Sequence, residues 1–201
     1  MIKNKLKFLC TIPFLMAFQC DDDFVFLEYT PYKTKVTAKL NFSLNDTIWI
    51  YGKTSSKVFA QSVNDSVFND TPYEDVFSIY KFIQPTKSSN CIDAVDKFDL
   101  ISDKGETWFL SSCPNAHISI SPELEDNNDF YSYRIGLRTK DIGDYVISWR
   151  DARIQNPNRN EFIIEDYLIE SLPNEIGFDS CGSISWRSLD ESDKEYCFRV
   201  E

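Results

Sequence analysis

Between Val36 and Leu44 every second residue is apolar: Val36, Ala38, Leu40, Phe42 and Leu44 alternate with Thr37, Lys39, Asn41 and Ser43. Successive strand side chains point to opposite faces, so this period of two predicts a strand with one face buried and one wet. The pattern recurs at Tyr131, Tyr133, Ile135 and Leu137, and again at Tyr145, Ile147 and Trp149. Asn45-Asp46 predicts a turn, residues 47–51 return as the partner strand of a hairpin, and Gly52 ends it. Further strands are expected at 58–63, 94–101, 107–110, 117–121, 162–169, 183–186 and 196–200, and residues 24–27 read as an optional first strand.

Residues 71–84 carry conflicting signals. Thr71-Pro72-Tyr73-Glu74 has the Thr, Pro and Glu spacing of a helix start. The following residues, Val76 to Ile83, are aromatic and β-branched, which suits a strand, and the strand reading is the expectation. Eight to eleven short strands without βαβ alternation predict an all-β sandwich or barrel with room for one short helix. Asp141-Ile142-Gly143-Asp144-Tyr145 resembles the D-x-G-x-Y tyrosine corner of immunoglobulin-like domains. That resemblance implies an immunoglobulin-like antiparallel β-sandwich in which the Tyr145 hydroxyl bonds to nearby backbone. Ile147 stands where that family has its inter-sheet Cys.

The first 20 residues supply an address. Lys3, Lys5 and Lys7 precede an apolar stretch from Leu6 to Phe18, which is the layout of a secretory signal and too short for a membrane span. Cys20 closes it, followed by Asp21, Asp22 and Asp23. A cysteine at this boundary resembles the lipobox of bacterial lipoproteins, although Ala17, Phe18 and Gln19 depart from the usual residues before the cut. The acidic run resembles the surface-export signal of Bacteroidetes lipoproteins. The resemblance implies acylation at Cys20 and an outer-membrane protein exposed on the cell surface. The organisation expected is a signal peptide at 1–19, an acidic tether at 20–30 and one β-sandwich domain at 31–201.

Cleavage after Gln19 removes three lysines and no acid, so 182 residues with net charge −14 remain, against −11 for the whole chain. That length suffices for one domain with a real core. The acidic balance excludes nucleic acid as a partner, because such binding rests on cations that neutralise phosphates. The partners expected are the membrane, through the lipid anchor, and an outer-membrane protein or a glycan.

Besides Cys10 and Cys20 the chain holds Cys91, Cys113, Cys181 and Cys197. An even set in an exported chain predicts disulfides. Of three pairings, Cys91–Cys113 and Cys181–Cys197 are expected, because they close the shorter loops. Zinc is disfavoured, since there is no C-x-x-C and His117 is the only histidine.

Nucleophilic catalysis has little support: His117 reads as a polar residue on the wet face of a strand, and the G-x-S-x-G, H-E-x-x-H and P-loop patterns are absent. Glu123, Glu125, Asp126 and Asp129 read as a solvated loop, because the EF-hand pattern is missing. No metal or cofactor is expected. Aromatic residues make up 15 % of the chain, and Tyr51, Trp108 and Trp186 are the ligand-binding candidates. Asp46-Thr47-Ile48 and Asp65-Ser66-Val67 resemble the D-[ST]-aliphatic O-glycosylation signal of exported Bacteroidetes proteins, which implies Thr47 and Ser66 as acceptors. The expected function is a non-enzymatic binding or assembly module. The alternatives are a carbohydrate-binding accessory lipoprotein, which requires aromatic rings exposed together, and a carboxylate hydrolase, which requires two acids converging in a pocket.

Overall fold

A computed structural model describes residues 26–190 and 193–201. Cys20 and the signal segment lie outside the described residues. In chain order the strands are β1 (Leu27–Glu28), β2 (Lys33–Val36), β3 (Asn41–Phe42), β4 (Thr47–Ser55), β5 (Lys57–Ala60), β6 (Asp65–Phe68), β7 (Asp75–Phe82), β8 (Cys91–Asp93) and β9 (Phe98–Lys104). They continue as β10 (Glu106–Phe109), β11 (Ile118–Ser121), β12 (Glu123–Leu124), β13 (Phe130–Thr139), β14 (Gly143–Trp149), β15 (Arg153–Ile154), β16 (Glu175–Ser180), β17 (Ser183–Ser188) and β18 (Glu195–Val200). One α-helix, α1 (Glu161–Glu165), is present among the described residues.

The fold is an all-β sandwich. Of the two sheets that face each other, the larger runs β17-β16-β8-β7-β14-β18-β3, with β11 and β10 added beside β7, and the smaller runs β12-β13-β4-β2-β15, with β9 beside β13; β1-β5-β6 form a third, three-stranded sheet. Ile48, Ile50, Tyr133, Ile135 and Leu137 from the smaller sheet meet Phe77, Ile79, Tyr145, Ile147, Trp149 and Phe198 from the larger in one core. The alternations at 131–137 and 145–149 therefore point inward as expected, and 75–82 is strand rather than helix. Most pairings are antiparallel, but β15–β2, β16–β8 and β18–β3 are parallel, so both sheets are mixed. The tyrosine corner forms: Gly143 has φ +143°, a conformation that favours glycine, and the Tyr145 hydroxyl donates to the Asp141 carbonyl at 3.1 Å.

Several expectations are overturned by tertiary contacts. The 36–44 alternation is not one strand. The chain leaves the smaller sheet after Val36 and joins the larger one at Asn41, where β3 pairs with β18, and the Tyr196 hydroxyl, donating to the Thr37 and Lys39 carbonyls, secures the crossing. Leu40 and Leu44 are consequently exposed, and it is β2 that pairs with β4. Gly52 does not end a strand. The Tyr133 ring lies over its Cα, where an added Cβ would sit 2.1 Å from the ring, so only glycine fits mid-strand. Residues 162–169 are not a strand: α1 turns Ile163 and Ile164 down onto Val146, Phe178 and Cys197 on the outer face of the larger sheet. The stretch assigned to a tether already pairs with β5 at Leu27 and Glu28.

The expected cystine pairs are also overturned. The disulfide joins Cys113 to Cys181, with Cα atoms 6.2 Å apart. Cys91 and Cys197 are buried free thiols. They lie on β8 and β18, with β7 and β14 between these strands, and share one core cluster. Burial raises both thiol pKa values, that of Cys197 to about 12. Asp93 seats the disulfide, accepting from the Cys181 N–H at 2.8 Å and from the Ser180 hydroxyl at 2.9 Å. Asp93, Cys113 and Cys181 bring metal-type donor atoms within 4.8 Å of one another, but the disulfide consumes both thiolates.

Candidate binding face on the smaller sheet

The outward side chains of β2, β4, β13 and β9 form a solvent-facing surface whose register follows from the strand pairing. One row runs Lys35, Tyr51, Arg134, Lys104 across the four strands, and the next runs Lys33, Lys53, Ser132, Glu123 from β2 to β12. Phe130 stands opposite Ser55 at the end of β13. Between these rows lies a groove of about 210 Å³, lined by Thr30, Pro31, Lys33, Tyr51, Lys53 and Phe130 among others. Tyr51 and Phe130 are 39 % and 37 % exposed, so two aromatic rings meet solvent at one site.

Each wall has a structural support. The Thr30 carbonyl accepts from the Thr54 hydroxyl at 2.6 Å and from the Tyr73 hydroxyl at 2.7 Å. Tyr73 packs edge-on against Tyr29 and Tyr32, which holds the segment before β2. The Lys53 ammonium sits 4.0 Å from the Phe130 ring centre and 2.9 Å from Glu125, whose other oxygen accepts from the Tyr51 hydroxyl at 3.4 Å. That hydrogen bond to Glu125 raises the Lys53 pKa and lowers that of Glu125. Glu125 is thus a bracing residue for the groove, while Glu123 accepts from the Gly105 N–H. Beside the groove Arg134 lies 3.9 Å over Trp49, which itself packs against Gly136.

Tyr51 is the sequence-predicted candidate found here. Trp108 and Trp186 are exposed but stand on β10 and β17 of the other sheet, where their indole N–H groups donate to Glu74 and to the Ser88 carbonyl. The three do not form one site. Phe130, Lys33 and Lys53 were not singled out in the sequence; the signal for Phe130 lay in the parity of β13, which puts it on the wet face. Thr47 opens β4 half-buried, opposite Arg138, and Ser66 is exposed on β6. His117 precedes β11 and borders a second groove of about 270 Å³ with Ser78, Ser148, Ser180 and Arg187.

A polar pair lies behind the groove, inside the sandwich. Asp75, 1 % exposed, accepts from the Tyr133 hydroxyl at 2.5 Å and from the Val76 N–H at 2.9 Å. Burial dominates these bonds and lifts the Asp75 pKa from 3.8 to about 6. A folded-state carboxyl that holds its proton more tightly than the unfolded one stabilises the protein below the unfolded pKa and loses that contribution as pH rises through the folded pKa. Stability is therefore expected to fall by about 3 kcal/mol from this group between about pH 4 and about pH 7. Urea unfolding of the parent and of Asp75→Asn across that range tests this; equal pH slopes would refute it. Burial also raises Asp93, but in register along β7 the two acids stand five residues apart, about 17 Å.

This geometry defines an all-β sandwich with an open, aromatic and cationic face. No protein-family model matches the chain, and no curated protein matches it. Among solved structures it is similar to a cohesin module from a Clostridium perfringens family 33 glycoside hydrolase, with 7 % identity, 86 % of this chain and 98 % of that chain covered, and a TM-score of 0.29. A likeness at that score carries no functional argument.

Proposed function

We propose that the protein is a lipid-anchored, outward-facing lipoprotein of a bacterial outer membrane and acts as a non-enzymatic binding module. The anchor reading is supported by the charged and apolar residues before Cys20 and the acidic run after it. Two or more acyl chains hold a protein firmly where a single chain does not. The binding reading is carried by one observation: Tyr51 and Phe130 are exposed together along a groove on the outer face of the smaller sheet. Isolated exposed rings are ordinary, whereas paired rings over a groove with nearby cations mark recognition surfaces.

The pairing of rings also favours carbohydrate binding over a protein–protein assembly role, since flat rings stack on the apolar faces of sugars. For a carboxylate hydrolase the two acids raised by burial, Asp75 and Asp93, stand too far apart, about 17 Å along the sheet. Two variants test the proposal. Cys20→Ser is expected to move the protein from the membrane pellet to the soluble fraction; retention with the membrane would refute the anchor. Tyr51→Ala/Phe130→Ala in the full chain is expected to lower the retention on glycan arrays about tenfold or more. Unchanged retention, or none by the parent, would refute the binding face.

A further inference from the structure

The charge on this face runs against that of the chain. Lys33, Lys35, Lys53, Lys104, Arg134 and Arg138 all project from it, six of the 18 Lys and Arg residues that follow residue 19. Two like-charged pairs stand directly opposite each other, Lys33 with Lys53 and Arg134 with Lys104. Directly opposed like charges destabilise a sheet. A chain with 32 acids and 21 bases has ample means of avoiding them, so their presence points to a role outside folding. Lys53, Arg134 and Arg138 have acidic partners in Glu125, Asp103 and Asp99. Lys33, Lys35 and Lys104 form no salt bridge among the described residues; Lys104 instead donates to the Ser132 hydroxyl at 2.7 Å.

We infer that this face binds an acidic polysaccharide, with its carboxylates or sulfates on Lys33, Lys35 and Lys104 and its sugar rings against Tyr51 and Phe130. The inference deepens the binding reading above and rests on it. Lys33, Tyr51 and Phe130 line the groove, and Lys35 and Lys104 stand beside it in the row of Tyr51, an arrangement of cations and rings that matches a polymer alternating anionic groups with flat apolar ring faces. An acidic peptide would satisfy the lysines but would leave the rings without flat partners. The negative charge of the whole chain opposes approach only weakly. Asp99, Asp103, Glu123 and Glu125 share the face with the six cations, which leaves it net positive, and at physiological salt charges beyond about 8 Å are screened.

The test uses the full-length chain in detergent with three probes: polygalacturonate, neutral galactan and polyaspartate. Polygalacturonate is expected to bind, and raising salt from about 0.1 M to about 1 M to weaken it. Lys33→Glu/Lys35→Glu and Tyr51→Ala/Phe130→Ala are each expected to weaken it about tenfold or more. The four side chains are solvent-facing, and unchanged melting temperatures would show that the variants fold. Unchanged polygalacturonate binding by Lys33→Glu/Lys35→Glu would overturn the inference, as would polyaspartate binding equally well. Galactan binding that matches polygalacturonate and is lost with Tyr51→Ala/Phe130→Ala would overturn the acidic specificity and leave the binding face standing. Binding of none of the three probes would also overturn it.

Discussion

Glu195→Ala is expected to lower the unfolding free energy by about 3–5 kcal/mol, the largest loss from any single substitution considered for this fold. Glu195 is fully buried on β18 and receives two guanidinium groups. Arg159 donates twice to one carboxylate oxygen, at 3.1 Å and 2.6 Å, and Arg187 donates to the other. The arginines reach further: Arg159 to the Leu189 carbonyl, and Arg187 to the Ser148 hydroxyl at 2.8 Å and the Trp149 carbonyl at 3.2 Å. One carboxylate thereby joins β18, β17, β14 and the segment before α1. Replacing the cluster with apolar residues of equal volume costs less, because the desolvation of three charges already offsets much of their attraction. Removing the carboxylate alone strands two mostly buried cations, which is why the effect is large. Arg187→Ala is expected to cost less, since Arg159 still neutralises Glu195. Urea unfolding measures both losses, and thermal unfolding should show a fall in melting temperature of about 6–20 °C for Glu195→Ala. A loss below about 1 kcal/mol would show that the cluster contributes little beyond apolar packing.

Removing the Cys113–Cys181 bridge is the second large perturbation. The two residues are 68 apart in sequence, and closing a loop of that length restricts the unfolded chain by roughly 4 kcal/mol at room temperature. Cys113→Ala/Cys181→Ala should lose that amount, and a reducing agent should destabilise the parent but not the variant. The bridge ties the loop after β10 to the turn between β16 and β17, where Cys181 has φ +50° and Asp93 accepts its N–H. Thiol counting gives a direct check on the connectivity. The folded protein should resist alkylation, and the denatured, unreduced chain should expose two thiols, at Cys91 and Cys197. No thiols in that state would show that Cys91 and Cys197 are paired as well, and peptide mapping of the bridges would then decide the connectivity.

The cysteines illustrate what kind of information a single sequence carries. Loop length argues for neighbours in the chain, but a disulfide forms between neighbours in space. The parallel pairing of β16 with β8 carries Cys181 past Cys91 to the loop of Cys113. The binding face shows the same division. Alternation marked Tyr51 as a residue of a half-buried strand, yet the opposition of Lys33 to Lys53 depends on β2 pairing with β4, and the alternation at 36–44 argued for a different partner. Trp108 and Trp186 were as aromatic and as accessible as Tyr51, and only the strand order separates them from it.

By itself the sequence determined the strand character of most of the chain, the inward faces of 131–137 and 145–149, and the tyrosine corner at 141–145. These depend on nearest neighbours: the two-residue period of the pleat and the φ that a glycine tolerates. Tertiary structure alone decided which strands lie side by side, which cysteines meet, where α1 replaces a strand, and which outward side chains share a groove. Those outcomes follow from burial against distant residues, a sum over contacts that no local window contains.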